Sequence, residues 1–204
     1  MKSANGRDVG GSKKVLIEFG GPFQWLDPTN PDYLFNASVA SKSGLYFWSV
    51  MTQEVELVYY VGETGRSFAK RHEEHLLAYI GGLYRFYDAV ALRRGDKYLL
   101  WPGMWQGERI ARAEKYIADL PTLAPQLGAF LRVLRLYVAP IETEPRVRKR
   151  VEAGLADAFY RLGDGRHLQD NDIRYNRRQL GEDEMVVQVS CSAAILGWPS
   201  SLAV

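Results

Sequence analysis

The sequence predicts a single α+β domain, and three observations support this prediction. Two segments rich in aromatic and β-branched residues, GLYFWSV (44–50) and ELVYYVG (56–62), have only MTQEV between them, which is typical of a β-hairpin. Two later segments, at 67–80 and 143–163, carry the caps and stops of helices. The chain has 204 residues, which is enough to bury a sizeable core within one domain.

The first half of the chain predicts loops, strands and one helix. Residues 1–14 are rich in Gly, Ser and Lys and are predicted to be mobile, whereas VLIEF (15–19) predicts a short strand. Residues 20–38 are punctuated by Pro and Asn, which favours a loop with short helical turns. After the hairpin, Ser67 is a suitable N-cap for a helix that continues to about Ile80, where two glycines follow.

The second half of the chain predicts two helices and two strands around irregular segments. Residues 81–107 are aromatic and irregular, and a helix is expected from about Glu108 to Leu120. FLRVLRLYVAP (130–140) alternates apolar and charged residues over its first half, which suits a strand. The segment 143–163 has a Thr cap, a Pro near its first helical position and a Gly stop, which predicts a helix. A polar loop and a last strand, MVVQVSC (185–191), complete the order β-β-α-insertion-β-α-β.

The composition limits the classes of function. The chain has 26 basic and 24 acidic residues, so a nucleic-acid partner would need a local cluster of cations. The single cysteine, Cys191, excludes an internal disulfide framework and fits a reducing compartment. No apolar run approaches the ~18 residues that span a bilayer, and the N-terminus lacks the apolar core of a signal peptide. We therefore expect a soluble, cytoplasmic protein without membrane contact.

The residues around the hairpin are not all explained by a core. Tyr46 and Trp48 share one face of the first strand, because side chains alternate along a strand. Taken alone, each tyrosine is explained as a core or cross-strand aromatic. Arg71 and His75, however, are four residues apart on the following helix and lie one above the other where the helix meets the sheet. An Arg and a His at that junction indicate chemistry rather than packing.

These residues resemble the signature of the GIY-YIG nuclease superfamily. The triplets GLY at 44–46 and YVG at 60–62 correspond to the two triplets of that signature. Arg71 comes eleven residues after the second triplet begins, and His75 comes four residues later, in the order of the family. The resemblance implies a small domain with a three-stranded antiparallel sheet flanked by helices.

The family signature also includes a Glu on a helix that follows a third strand, and then an Asn. Glu152 lies on the second predicted helix, and either Asn171 or Asn176 would be the Asn, at a spacing longer than usual for the family. The triplets depart only mildly from the family pattern, with Leu45 and Val61 in place of isoleucine.

The resemblance covers part of a single domain that spans 1–204. Its core is about 43–80 and 129–176, so residues 81–128 are an insertion with no counterpart in the minimal domain. Residues 1–42 and 177–204 are then N- and C-terminal extensions.

The resemblance implies a metal-dependent endonuclease that hydrolyses phosphodiester bonds in DNA. A tyrosine with a pKa near ~10 is a poor base unless a metal or cation stabilises its phenolate, so we expect a lowered pKa for Tyr46. Arg71 offers a planar fork to phosphate oxygens, and Glu152 offers a carboxylate to Mg²⁺ or Mn²⁺. The implied catalytic residues are Tyr46, Tyr60, Arg71, His75, Glu152 and Asn171, and the metal ligand is Glu152.

Cations cluster on both sides of the expected Glu and Asn. RVRKR (146–150) and RYNRR (174–178) concentrate positive charge in a chain whose net charge is only +2, and we expect them to contact DNA phosphates. The alternative for the first cluster is a solvated helix face. The aromatic and Arg residues of the insertion either grip DNA or form a second small core. The predicted nucleic-acid-binding residues are Gly62, Arg66, Arg148, Lys149, Arg174, Asn176, Arg177 and Arg178.

Two other motifs are rejected on their spacing. The two His residues of HEEH (72–75) are three apart, not the four of zinc motifs on helices, and no Cys lies near them. GETGRS (62–67) lacks the Lys and the gap between glycines of a phosphate-binding loop. Neither a structural zinc site nor a nucleotide hydrolase is therefore expected.

Three functions remain open at the level of sequence. The first is a stand-alone restriction-type endonuclease on double-stranded DNA, in which the insertion and extensions replace a targeting domain. The second is a repair or mobile-element nuclease, and the third is a non-catalytic nucleic-acid-binding module. Cutting both strands would involve a homodimer.

Overall fold

The computed structural model describes residues 15–105, 107–161 and 176–204. It confirms the α+β class. The strands are β1 (Val15–Phe23), β2 (Gly44–Met51), β3 (Glu56–Thr64), β4 (Phe86–Tyr87), β5 (Leu99–Trp101), β6 (Leu134–Pro140), β7 (Val186–Cys191) and β8 (Ser201–Ala203). The α-helices are α1 (Phe68–Ile80), α2 (Ala89–Arg93), α3 (Arg109–Val133) and α4 (Pro145–Tyr160). The N-terminal segment predicted to be mobile lies outside the described residues.

The main sheet has six strands in the order β3-β2-β6-β1-β7-β8, not the expected three. Antiparallel pairing joins β3 to β2, β2 to β6 and β6 to β1, while β1 and β7 pair in parallel. The outer strands join because alternate residues of β1, Ile17 and Phe19, bury their side chains in the same core as Val187 and Val189 of β7. The chain ends therefore extend the sheet.

Both faces of the sheet are covered, so the sheet separates two cores. Strand β2 is buried from Gly44 to Val50 and contributes alternate side chains to each core. Tyr46 and Trp48 pack with α1 and α3 on one face. Leu45 and Phe47 pack with α4 on the opposite face. The alternation of β2 thus places Tyr46 under α1.

Helix α1 forms as the sequence predicts. The Ser67 hydroxyl accepts a hydrogen bond from the backbone N–H of Lys70 at 3.2 Å, and Gly81 follows the last residue, Ile80. The buried face of the helix includes His72 and His75. The cap therefore fixes where the helix begins and which residues face the sheet.

Helix α3 is longer than predicted, which corrects both the helix expected at 108–120 and the strand expected at 130–140. It continues through Pro121 and Pro125 to Val133, and β6 begins only at Leu134. The two prolines are four residues apart and both exposed, so they share a face, and the carbonyls that lose a donor can bind water. Burial of the last turn, including Phe130, favours the helix over the strand.

Helix α4 begins at Pro145, as expected, but the predicted Thr cap is wrong. The residue before the helix is Glu144, which makes no side-chain cap hydrogen bond. The backbone carbonyl of Thr143 instead accepts a hydrogen bond from Arg148 at 2.8 Å. The predicted stop at Gly163 lies outside the described residues.

The insertion is ordered and belongs to the main core rather than to a second one. It contains β4, α2, β5 and most of α3, and β4 and β5 form a small antiparallel sheet. Phe86, Trp101 and Tyr116 are buried in the core that also holds Tyr46. Trp105, by contrast, is 62% exposed. None of the helices in the described ranges combines the length and apolarity needed to cross a membrane.

Candidate active site

Tyr46 lies at the centre of the site because β2 is flanked on both sides by strands. It is fully buried and lies directly opposite Gly62 in the β3 register. A Cβ atom at position 62 would overlap the phenol ring and hydroxyl of Tyr46. Gly62 was predicted to bind nucleic acid, or to admit a neighbouring strand. The structure shows that the Tyr46 ring occupies the space that a side chain would need.

The Tyr46 hydroxyl is the hub of a hydrogen-bond cluster. The Arg71 Nε–H donates to it at 3.1 Å, and the His75 Nε2 lies 2.9 Å from it. The ring of Tyr60 stacks on that of Tyr46 with 6.1 Å between centroids. Three predicted site residues from one strand and one helix therefore meet at one oxygen atom, and Tyr60 packs beside them.

His75 is neutral and incompletely paired. Burial, with the nearby charge of Arg71, lowers the pKa of His75 to about 2, so the imidazole carries no charge at physiological pH. The hydrogen bond to Tyr46 has one of two proton placements: the phenol donates to a bare Nε2, or Nε2–H donates to the phenol oxygen. In both, the buried Nδ1 has no hydrogen-bond partner among the described residues.

The pKa of Tyr46 in the protein alone is controlled by burial. Burial raises the pKa of Tyr46 well above 10, and it also raises the pKa of Tyr60. The charge of Arg71 acts in the opposite direction but is the smaller effect. The lowering was expected for the metal-bound site; in the protein alone burial outweighs the charge of Arg71, because a buried phenolate loses more hydration than one partly exposed guanidinium restores.

Glu152 approaches this cluster from the other face of the sheet. Its helix, α4, packs opposite α1, and the backbone N–H of Glu63 lies near enough to the Glu152 carboxylate to favour its charged form. Glu63 follows Gly62 in β3, which is the edge strand of the sheet. Besides burial, the charge of Glu152 raises the pKa of Tyr46 and Tyr60, so the carboxylate lies near both. The cluster thus spans the β3 edge.

Glu152 is a buried acid with an unusual titration. Burial and the charge of Glu63 raise the pKa of Glu152 to about 7, although Arg71 and Lys149 oppose them. The negative charge on Glu152 is therefore under-compensated in the protein alone. Its oxygen donor, on a buried acid beside a second acid, is suited to a hard divalent cation. Among the described residues no cluster of three or more His, Cys, Asp or Glu side chains could hold a metal.

Two acidic residues beside the cluster, Glu63 and Glu74, were not predicted from the sequence as part of the site. Glu63 forms an ion pair with Arg148, with 3.1 Å between Nε and Oε2, and both side chains are largely buried. Glu74 contacts Arg71 with 3.6 Å between Nη1 and Oε2. Both acids orient arginines beside the cluster. A signal was present for Glu74, since an acid three residues after Arg71 on a helix is a standard pairing distance.

His72 is a packed histidine, as the sequence interpretation favoured. Its Nδ1 is 2.8 Å from the backbone carbonyl of Phe68, and its Nε2 accepts from the Trp48 Nε1–H at 3.3 Å. Burial lowers its pKa to about 4, so the ring is neutral. Both nitrogens are occupied, which leaves neither free for a metal.

Most of the predicted phosphate-binding cations that can be located are paired with carboxylates. Arg148 pairs with Glu63, and Arg66 with Glu74. Arg177 pairs with Asp157 and Arg178 with Glu184, at 3.8 Å in the second pair. Lys149 is exposed, and the Asn176 carbonyl accepts a hydrogen bond from Arg146 at 3.1 Å. Asn171 and Arg174 lie outside the described residues.

A different group of cations lines a groove, and two of them, Arg93 and Arg94, belong to the insertion whose arginines were candidates to grip DNA. A cavity of about 670 Å³ at the β2–β3 turn is lined by Arg93, Arg94, Arg132 and Arg135, and no carboxylate among the described residues lines it. Arg135 pairs with the buried Glu56 at 3.2 Å. The other three form no ion pair within the described ranges. The groove is therefore a concentrated positive surface on the insertion side of the molecule.

No family model matches this chain, and no curated protein or solved structure matches it either.

Proposed function

We propose that the protein is a GIY-YIG-type endonuclease that hydrolyses phosphodiester bonds in DNA with the help of one divalent metal ion. The observation that supports this most directly is the cluster itself. The hydroxyl of Tyr46 is held by Arg71 and His75, and Glu152 lies beyond the adjacent strand edge. A core needs none of these polar groups, and burying them is costly, so their convergence favours a functional site over simple packing.

The metal proposed at this site is Mg²⁺ or Mn²⁺, held by Glu152 and by water molecules. When bound, the ion would stabilise negative charge on the phosphate. The raised pKa of Glu152 supports this assignment. Burial and the charge of Glu63 both disfavour the ionised carboxylate, and a bound cation would compensate for them.

The protein groups divide the remaining work. The Arg71 guanidinium, whose side chain is 26% exposed, binds a phosphate oxygen. As water attacks phosphorus, the Tyr46 oxygen takes a proton from the water and passes its own proton to His75 Nε2. The phosphorus–oxygen bond to the leaving sugar breaks, and that oxygen takes a proton from solvent. This step requires the placement in which Nε2 is bare, and it requires the anionic phosphate to raise the pKa of His75 from about 2, because burial and Arg71 make the free protein's imidazole a weak base.

The Arg groove supplies a path for the DNA backbone beyond the cluster. Tyr46 and Met51 are five residues apart on β2, which is roughly 17 Å along a strand at ~3.3 Å per residue. Met51 lines the groove, so its unpaired arginines lie at about that distance from Tyr46. They could bind phosphates about five nucleotides from the cut, since phosphates of one strand are about 3.4 Å apart along the helix axis.

A non-catalytic nucleic-acid-binding module is the second candidate. The observation in its favour is that Tyr46 is fully buried and its pKa lies well above 10, so the free protein presents no ready base. Under this alternative the cluster would only fix α1 against the sheet, and the Arg groove would bind DNA.

Incubation of the purified protein with supercoiled plasmid and Mg²⁺ tests the proposal, with EDTA and a Glu152→Gln variant as controls. Discrete fragments that disappear in both controls support the restriction-type nuclease. Nicking that depends on DNA structure supports a repair or mobile-element nuclease. Retained DNA binding without any cleavage supports the non-catalytic module and overturns the endonuclease.

A further inference from the structure

A second cavity, of about 280 Å³, adjoins the catalytic cluster along the β3 edge. Tyr60 and His75 belong both to this cavity and to the cluster around Tyr46. The insertion closes the other side with Tyr84, Arg85 and Trp105. Catalytic core and insertion therefore meet at this cavity, which gives the insertion a place in the site.

The walls of the cavity are mostly flat aromatic rings. Trp48 and Tyr60 are stacked with 4.5 Å between ring centroids, and His75 lies 5.8 Å from Tyr84. Trp105 is 62% exposed at the mouth, and Tyr84 is half-buried. Within the part of the chain that the structure describes, no carboxylate lines the cavity. A planar ligand without positive charge fits such walls, because aromatic faces stack on it and no anion repels it.

Polar groups are also present where the edge of such a ligand would lie. The Tyr60 and Tyr84 hydroxyls and the Arg85 guanidinium belong to lining residues. The Nδ1 of His75 is buried without a partner within the described part of the chain. A ligand that is flat, aromatic and rich in hydrogen-bonding groups at its rim matches this combination. A nucleobase has these properties, and the cavity volume is too small for a duplex.

We propose that this cavity binds one unstacked nucleobase of the substrate, next to the phosphate that is cleaved. The proposal rests on the proposed endonuclease, because the shared residues Tyr60 and His75 place the base beside the reacting phosphate. The substrate class is then DNA in which a base at the cut is unpaired or is rotated out of the duplex. A mismatch favours binding, because a mismatched base costs less free energy to unpair and unstack than a paired one.

The test measures binding in EDTA, so that no cleavage can occur. Fluorescence anisotropy compares a labelled 30-base-pair duplex with the same duplex carrying one central mismatch. We expect the wild-type protein to bind the mismatched duplex more tightly. Trp105→Ala should lose most of this preference and bind the mismatched duplex about 5- to 100-fold more weakly, which is the range for loss of one base–aromatic stack.

The matched control is Tyr98→Ala, which also removes an exposed aromatic of the insertion but does not line the cavity. It should bind as the wild type does. A second variant, Tyr84→Phe, keeps the ring and removes only the hydroxyl, so it should retain stacking if the fold is intact. A duplex with 2-aminopurine as the mismatched base gives a second readout. Its fluorescence should be lower in the complex with the wild-type protein than in the complex with Trp105→Ala.

Several outcomes separate this inference from the proposed function. Plasmid cleavage by a protein that shows no mismatch preference overturns the base pocket and leaves the endonuclease standing. A mismatch preference that Trp105→Ala retains also overturns the pocket. Tight binding of free dAMP, with no mismatch preference, would identify a small-molecule site instead. A mismatch preference without cleavage would support the pocket and count against the endonuclease.

Discussion

At the scale of single residues, the site depends on one hydroxyl that two neighbouring side chains share. Tyr46 receives a hydrogen bond from Arg71 and contacts His75 and Tyr60, while its ring occupies space that only Gly62 leaves open. The same burial that positions the hydroxyl also raises its pKa. The position of the hydroxyl therefore favours a role as a base, whereas its raised pKa opposes that role. In the proposed mechanism, substrate and metal would have to lower this pKa.

The change Tyr46→Phe tests whether this hydroxyl takes part in the reaction. The rate of cleavage should fall by about 10²–10⁴-fold, the usual contribution of a general base. The free energy of unfolding should fall by about 1–3 kcal/mol, because the ring still packs but buried His75 loses its partner. Single-turnover cleavage and urea unfolding measure the two effects. Tyr98→Phe, at an exposed position, is the control and should change neither.

Metal binding should depend on pH through Glu152. Its pKa of about 7 means that the carboxylate is mostly protonated at pH 6 and mostly ionised at pH 8. Because a metal binds the ionised form, the Mg²⁺ concentration for half-maximal cleavage should fall by about ten-fold over that interval. The measurement is a Mg²⁺ titration of the cleavage rate at each pH. A half-saturating concentration that stays constant would contradict the assignment of Glu152 as the ligand.

At the scale of elements, the close approach of β2 and β3 is what makes the cluster. Gly62→Ala would drive a Cβ into the Tyr46 ring and should destabilise the protein by about 1–3 kcal/mol, as overpacking does in well-packed sites. Gly20→Ala is the matched control, since a Cβ at Gly20 in β1 meets nothing within 4 Å. Urea unfolding compares the two variants. Equal stability of both would mean that the strands part easily and that Tyr46 is not clamped.

The elements that the sequence predicted well are those with local signals. The hairpin of β2 and β3 follows from its aromatic alternation, and α1 follows from Ser67 and the glycines after it. Helix α3 was predicted too short, because its continuation past Pro121 depends on burial of its last turn. The extra strands of the sheet depend on distant pairing of the chain ends, which no local pattern encodes.

The site residues show the same division. The order and spacing of the motif predicted residues that the structure joins by hydrogen bonds, Tyr46, Arg71 and His75. The ion pair of Arg148 with Glu63 joins a helix and a strand 85 positions apart, so no local pattern in the sequence indicates it. The pKa of Tyr46 depends on how completely the fold removes water, which a sequence does not reveal.

At the scale of the whole molecule, positive charge is concentrated away from the predicted clusters, in the Arg groove. Replacing Arg93 and Arg94 together by Ala should weaken DNA binding about equally for all sequences, since phosphate contacts carry no sequence information. The slope of log affinity against log salt should decrease by about 2, one for each lost phosphate contact. Anisotropy over a salt series measures it. Lys149→Ala is the comparison, and a larger effect there would move the DNA path to α4.

The stability of the whole molecule should respond to pH through three buried groups that act in opposite directions. The pKa of His72 is lowered to about 4 and that of His75 to about 2, both mainly by burial. Unfolded histidine takes up its proton near pH 6.5, so the folded protein loses stability as the pH falls below that value. Between pH 7 and pH 5 this loss is on the order of 2 kcal/mol for each histidine.

Glu152 opposes this loss. Its pKa rises from 4.5 to about 7 on folding, so the folded protein gains about 2 kcal/mol of stability as the pH falls from 7 to 5. The wild-type protein in EDTA should therefore lose about 2 kcal/mol between pH 7 and pH 5. Glu152→Gln removes the opposing group and should lose about 4 kcal/mol over the same interval, while being the more stable protein at pH 8. Urea unfolding at each pH measures both curves. If the free energy of unfolding of the two proteins varied with pH in parallel, Glu152 would have an ordinary pKa. The raised pKa that supports the metal site would then be contradicted.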